Sequence, residues 1–292
     1  DPVMHFYSGE VAIPKYEKRI VSLTRIEPPL HPDGVEKILA DFGTEPEDFD
    51  EPKFLEWSKN IDSVDYRILG TSTEGIFAPW AFWKKDFQEI GGHDPLYAPQ
   101  SKEDSDIFNR FHLNGVKFIQ TWEGFVYHMT CRGSRFNPTI TTVGTNSDEW
   151  EAQNIRSSKN FIRKWGHFVR HDKFMKPIVP PKYNIGIGVT NCNEQLLDLL
   201  EPWCSIITVD MKQIHIDAYL ARENKNTLYD LEYKILRNDT VMTHDMDCDV
   251  MISIDGNLMN QQDLEYIRIM SDILTSSGEI GKLEIGNLKL NI

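Results

Sequence analysis

Apolar positions along the chain change period several times, and each change marks an element. Arg19 to Ile26 (RIVSLTRI) is rich in β-branched residues and predicts a strand, closed by Pro28-Pro29 and the Pro32-Asp33-Gly34 turn. Val3 to Tyr7 predicts another. Val35, Ile38 and Leu39 fall on one side of a short helix predicted over 34–42. Residues 43–52 (GTEPEDFDEP) form a dense acidic loop, and Phe54 to Asn60 a short amphipathic helix. In EDSDIFNRFHLNG (Glu103 to Gly115), Ile107, Phe108 and Phe111 recur at helical spacing, and Gly115 stands where a helix stops. VKFIQTWEGFVYH then predicts two short strands ending in His128.

The second half has a different rhythm. Arg135 to about Asn146 is polar and rich in Thr and Gly, a loop or flap. Glu149 to Trp165 predicts a helix, with Trp150, Ile155, Phe161, Ile162 and Trp165 available for packing. Lys176-Pro-Ile-Val-Pro-Pro-Lys182 is a linker stiffened by its prolines. Beyond it, strands at Tyr183–Thr190, Ser205–Asp210 and Asp249–Asp255 alternate with helices at Asn193–Leu200, His215–Glu223 and about Gln261–Leu274. A terminal strand pair, Gly281–Ile285 and Asn287–Ile292, turns at Gly286. This alternation predicts an α/β protein. Three parts are expected: 1–136, a flap, helix and linker over 137–182, and a small α/β domain over 183–292.

Charge narrows the partners. The chain of 292 residues has a formal net charge of -14, which argues against binding nucleic acid or an anionic membrane along its whole length. No apolar run is long enough to span a bilayer, and the first residues lack a signal-peptide profile. Cys131, Cys192, Cys204 and Cys248 are widely spaced without a zinc pattern, so they read as thiols of a reducing compartment. A cytoplasmic location is expected.

Candidate chemistry gathers between residues 75 and 136. Glu103 and Asp104 open a helix, where the dipole favours their ionised form, and an ionised carboxylate at a pocket mouth is what a general base requires. The plain alternative is a pair of ordinary first-turn acids. Gly91-Gly92 is a turn that allows close approach of backbone to a ligand. Phe77, Trp80, Phe82, Trp83 and Phe87 build either a core or a stacking wall. Cys131-Arg132-Gly133-Ser134-Arg135 is a basic loop directly after the predicted strands. Gly186-Ile-Gly188, with Asp210 closing the next strand, has the outline of a nucleotide or S-adenosylmethionine site. Asn191 replaces its third glycine, which favours a buried strand with an ordinary strand-end acid. Asp245-Met-Asp247 precedes its apolar strand instead of following it and reads as chance.

The order of these pieces — aromatic-rich strand, Ile-Gly-Gly-x-Asp, Glu-Asp-x-Asp-Ile-Phe-Asn-Arg, Gly, strand, His — resembles the C-terminal half of GT-A glycosyltransferases. It is similar to the β-1,4-galactosyltransferase-like and family-2 inverting enzymes, over roughly residues 68 to 136. The resemblance implies a partial GT-A mixed sheet with an appended small α/β domain. It implies Asp104 as the base on the acceptor hydroxyl, with Glu103, Gly91, Gly92 and Trp80 on the acceptor side. It further implies His128 as a ligand of Mn²⁺ or Mg²⁺, and Arg132 and Arg135 on the donor diphosphate. The partners implied are a nucleotide-sugar donor, a UDP-sugar first, and a carbohydrate acceptor. An Asp104 variant is expected to lose transfer with little loss of folding, as a solvent-facing acid. The family's Asp-x-Asp motif is missing upstream of DPVMHFY, so the chain reads as a fragment cut after the donor-binding half. The alternative is a non-catalytic carbohydrate-binding or scaffold protein that keeps the acceptor half alone; a methyltransferase-like second domain is a third option.

Overall fold

A computed structural model describes residues 17–30, 32–61, 72–129, 146–238 and 247–292. The strand expected at Val3–Tyr7 and the basic loop with Cys131, Arg132 and Arg135 lie outside the described residues. The chain divides into two compact units. The first holds Asp1–Asp94, Asp104–Glu151 and His171–Ile178, and the second Pro95–Glu103, Ala152–Arg170 and Val179–Ile292. Both carry a mixed sheet with helices, so the α/β class holds.

The first unit is built on β1 (Arg19–Glu27) and β5 (Lys117–Tyr127), which run parallel along their whole length. The edge of β1 away from β5 is shared by two strands, one at each end. Antiparallel β4 (Trp80–Phe82) pairs with Ile20–Ser22, and parallel β2 (Lys37–Leu39) with Arg25–Glu27. The short β3 (Ser72–Thr73) adds to β5. Burial in β1 alternates at first and then becomes continuous from Arg25 to Glu27. Its carboxyl end is therefore covered on both faces, the condition under which a strand loses its alternation.

Two expectations change here. The helix predicted over 34–42 is absent, and β2 takes its place. Ile38 packs with Ile26, Phe42, Ile61 and Trp122, while Lys37 reaches Glu27, so pairing with β1 outweighs the local 3.6 period. The two strands predicted before His128 form one strand, β5, with an irregularity. Leu23 pairs with Thr121 and Thr24 with Phe125, so Trp122, Glu123 and Gly124 bulge out of the ladder. The bulge drives Trp122 into the cluster around Ile26. A side chain at Gly124 would press on Leu23, its Cβ falling 2.7 Å from a methyl carbon.

Helix α1 (Glu51–Lys59) forms as expected, and Asp50 of the acidic loop caps it by accepting from the backbone N–H of Lys53. Helix α2 (Lys84–Glu89) was not anticipated. Helix α3 (Glu103–Leu113) lays Ile107, Phe108 and Phe111 on Ile20, Ile76, Val116 and Phe118. Gly115, at φ +71°, turns the chain from α3 directly into β5.

In the second unit the sheet order is β10-β11-β9-β6-β7-β8. Strands β6 (Ile185–Thr190), β7 (Ile206–Val209), β8 (Ile235–Arg237) and β9 (Val250–Asp255) are parallel. Helices α5 (Glu194–Leu200) and α6 (Gln213–Glu223) connect the first three, and β9 then lies on the other side of β6. That is a doubly wound arrangement. The hairpin β10 (Lys282–Ile285) and β11 (Leu288–Asn291) closes the sheet antiparallel to β9. Helices α7 (Gln261–Arg268) and α8 (Met270–Ser277) occupy the expected helical stretch as two pieces.

The second unit is larger than the sequence division at 183. Helix α4 (Asp148–Trp165) contributes Ile162 to the main core of this unit, with Ile185, Val189 and Leu200. Phe161 joins Leu96 and Tyr97 in a smaller cluster. Apolar faces far apart in sequence thus decide the membership.

Candidate functional site

The carboxyl end of β1 and β5 concentrates charge. Glu27, whose side chain is 1% exposed, accepts from Arg25 at 2.8 Å and Lys37 at 2.9 Å, and pairs with His128 Nδ1 at 2.7 Å. Arg25 also donates to Glu36 at 3.1 Å, and its guanidinium lies 3.3 Å from the centroid of the Phe77 ring. Burial opposes ionisation of Glu27. The hydrogen bond with His128 and the cations Arg25 and Lys37 outweigh it and bring its pKa down to about 2. Burial lowers the pKa of Arg25, against the pull of Glu27 and Glu36.

His128 follows β5, and its backbone N–H donates to Ile26 O at 2.8 Å. Its side chain is 39% exposed, and the ring stands edge-on to Phe77 with centroids 6.0 Å apart. Of the aromatic run, only Phe77 faces this cluster. Trp80, Phe82 and Phe87 pack on the core around Phe108 and Phe111, with Trp80 and Phe108 centroids 4.9 Å apart. Trp80, expected on the acceptor side, is half-buried in that packing.

Asp104 shares a helical stripe with Ile107, Phe108 and Phe111 and is half-buried, so it is not the solvent-facing acid expected. Phe108 stands at the level of Trp80, which pairs with Ser22. Asp104 and His128 both belong to the first unit.

Glu103 is half-buried at the first position of α3. The two residues before it, Ser101 and Lys102, have φ of 78° and 70°, an unfavourable backbone for residues with a Cβ. Asn154 secures both, its side-chain oxygen accepting from Ser101 Oγ at 2.8 Å and Lys102 Nζ at 2.9 Å.

Gly91 and Gly92 lie elsewhere. They have φ of +88° and +70°, and the carbonyls of Ile90 and Gly92 each accept from Arg110 at 2.6 Å. Arg110 is in turn held by the buried Asp106, one turn back on α3. Nearby, Glu89 of α2 pairs with Lys18 at the start of β1, so the glycine turn sits toward the end of the sheet opposite His128. Sequence reasoning passed over Glu27, Arg25 and Asp106. The i, i+4 spacing of Asp106 and Arg110 was a legible signal; nothing local marked Glu27.

A divalent cation is only partly provided for. His128 is an imidazole oriented by a carboxylate, as metal-ligating histidines commonly are. Yet the described residues contain no group of three His, Cys, Asp or Glu side chains placed to hold a metal ion. His128 alone does not make a site for Mn²⁺ or Mg²⁺ among the described residues.

The outline of a nucleotide site in the second unit is occupied by the protein itself. A Cβ at Gly186 would fall 2.1 Å from Met251 Sδ, so this glycine makes room for a neighbouring strand. Asp210 accepts from the backbone N–H groups of Asn191 and Cys192 at 2.6 and 2.9 Å. Burial and Asp210 push the Cys192 thiol up to about 12, and burial does the same for Cys204. An open recess of about 450 Å³ lies along α6 and β8, lined by Ile216, Leu220 and Ile235, and it includes none of the expected site residues.

Among the described residues no helix is long and apolar enough to cross a membrane. No protein-family model, curated protein or solved structure matches the chain. What the fold and the clusters define is a two-unit α/β protein.

Proposed function

We propose that the first unit serves an inverting glycosyl transfer of the GT-A type, from a nucleotide-diphosphate sugar to a sugar hydroxyl. What supports the reading is a half-buried Asp104 in the first turn of α3, in the same unit in which Glu27 orients His128. Asp104 accepts the proton of the acceptor hydroxyl as that oxygen attacks the anomeric carbon. The first turn of a helix is the positive end of its dipole, a position that favours a carboxylate. His128 would contribute one ligand to Mn²⁺ or Mg²⁺, which when bound neutralises charge on the departing diphosphate. Arg132 and Arg135 are the cations proposed for the same diphosphate.

Calorimetric titration tests the proposal directly. Binding of a UDP-sugar that requires Mn²⁺ supports transfer. Binding of glycan without any donor binding replaces it with the carbohydrate-binding module. In the enzyme assay, Asp104→Asn must lose transfer; normal turnover by that variant removes Asp104 as the base.

A further inference from the structure

The outer face of α6 carries chemistry that the second unit does not use for its own packing. Ile216 and Tyr219 of this helix are buried in the core, and Leu220 packs against it. Gln213, Asp217, Ala221 and Asn224 recur at helical spacing and, with Glu232 and Ile235, line the open recess of about 450 Å³. Ile216, Leu220 and Ile235 make its lining apolar in the middle, and the remaining side chains make it polar around. Two carboxylates, Asp217 and Glu232, belong to that lining, and no Lys, Arg or His does. Asp217 is held by a neutral donor, Gln213 Nε2 at 2.8 Å. Ile214, on the helical stripe of Asp217 and Ala221, is 71% exposed, and Tyr233, next to Glu232, is 82% exposed. Exposed apolar side chains scattered singly need no explanation. These two flank an apolar recess and continue its surface outward, where a small molecule seated inside would leave them uncovered.

We infer that this face of α6 and β8 receives a basic amphipathic segment of another protein. Its apolar side chains cover Ile216, Leu220 and Ile235, and its Lys or Arg side chains meet Asp217 and Glu232. Charge selects this occupant. A second copy of the chain would bring the same two carboxylates, and a further formal charge of -14, to the interface. An acidic segment meets like charge at both positions, and a wholly apolar one strips water from two carboxylates without pairing them. The inference concerns the second unit and is independent of the sugar-transfer reading.

The test titrates the ¹⁵N-labelled full chain with a synthetic peptide of alternating Lys and Leu pairs, and with its counterpart carrying Glu for Lys. Amides within 213–224 and 232–237 are expected to shift with the Lys peptide and to stay in place with the Glu peptide. Shifts confined to other segments, equal shifts with both peptides, or no shifts at all overturn the inference. Two sets of substitutions at exposed positions then locate the contact without touching the core. Ala221→Lys, which fills the recess and repels a cation, should weaken the Lys peptide by about tenfold or more. Asp217→Asn combined with Glu232→Gln should weaken it by about tenfold at low salt and flatten its salt dependence. Unchanged affinity in either protein overturns the inference. Sedimentation of the chain alone addresses the remaining occupant: a dimer that Ala221→Lys dissociates would assign the face to a second copy and overturn the basic segment.

Discussion

The two units contain ionic clusters of similar make-up that differ in how they end. In the second unit, Arg163 of α4 is 1% exposed and pairs with Glu201 at 2.5 Å and Glu223 at 2.6 Å. Lys234 adds a third contact to Glu201 at 2.7 Å, and Tyr219 donates to it at 3.2 Å. Arg163, Glu201, Glu223 and Tyr219 are buried and Lys234 nearly so, and at the edge Lys159 links Glu223 to the half-exposed Asp198, so the cluster ends in ion pairs of the protein itself. In the first unit, Glu27 is as deeply buried as Glu201, but one of its partners is the half-exposed His128. A closed cluster can only hold elements together. An open one presents a positioned group to whatever binds outside. The difference lies in what stands at the edge, since burial drives both carboxylates toward neutrality and their partners, His128 with Arg25 and Lys37 for Glu27, and Lys234 with Arg163 for Glu201, bring both down to about 2.

The largest effect is expected where the cluster is closed. Arg163→Met leaves Glu201 and Glu223 buried without their main cation, and a loss of about 3–5 kcal/mol is expected in denaturant unfolding of the second unit. A loss below about 1 kcal/mol would remove the distinction between the two clusters. Asp104→Asn sharpens it from the other side: transfer should fall by about 10²–10⁴-fold while β1 and β5 amides keep their native NMR positions.

Acid should weaken both clusters alike. The folded pKa of Glu27 and Glu201, about 2, lies below the ordinary value of 4.5. Their stabilisation is therefore complete above about pH 4.5 and is lost as pH falls toward about 2. Urea unfolding across that range, followed by amides of β1 and of β6, should show both units losing stability together. If β1 amides are insensitive there, Glu27 is not held as described. The smallest effect belongs to an exposed pair: Arg222, at 51% side-chain exposure, bonds Glu194 and Asp198, and Arg222→Ala should cost no more than about 1 kcal/mol in the same measurement.

Most elements were legible because their signals are local. β1, α1, α3 and the alternation from β6 to β9 follow from apolar period and turn residues in their own segments. Asn193 and Asn260 cap α5 and α7 at the starts the sequence suggested, or within a residue of them. Three misses share a cause. Residues 34–42 carry a helical period that pairing with Arg25–Glu27 overrides. The bulge at Trp122–Gly124 exists only relative to β1. Phe161 and Ile162 of α4 belong to the second unit because Tyr97 and Ile185 are there to receive them.

For the candidate site the division is the same. The sequence by itself determined that a carboxylate pair heads a helix and that a histidine follows a strand, since both are statements about neighbours in the chain. Only the tertiary structure decided that Asp104 is half-buried, that the glycine pair is held by Arg110 at the far end of the sheet, and that Glu27 stands behind His128. Glu27 and His128 are 101 residues apart. Their pairing depends on the parallel register of β1 and β5, and no local pattern encodes a register between distant strands.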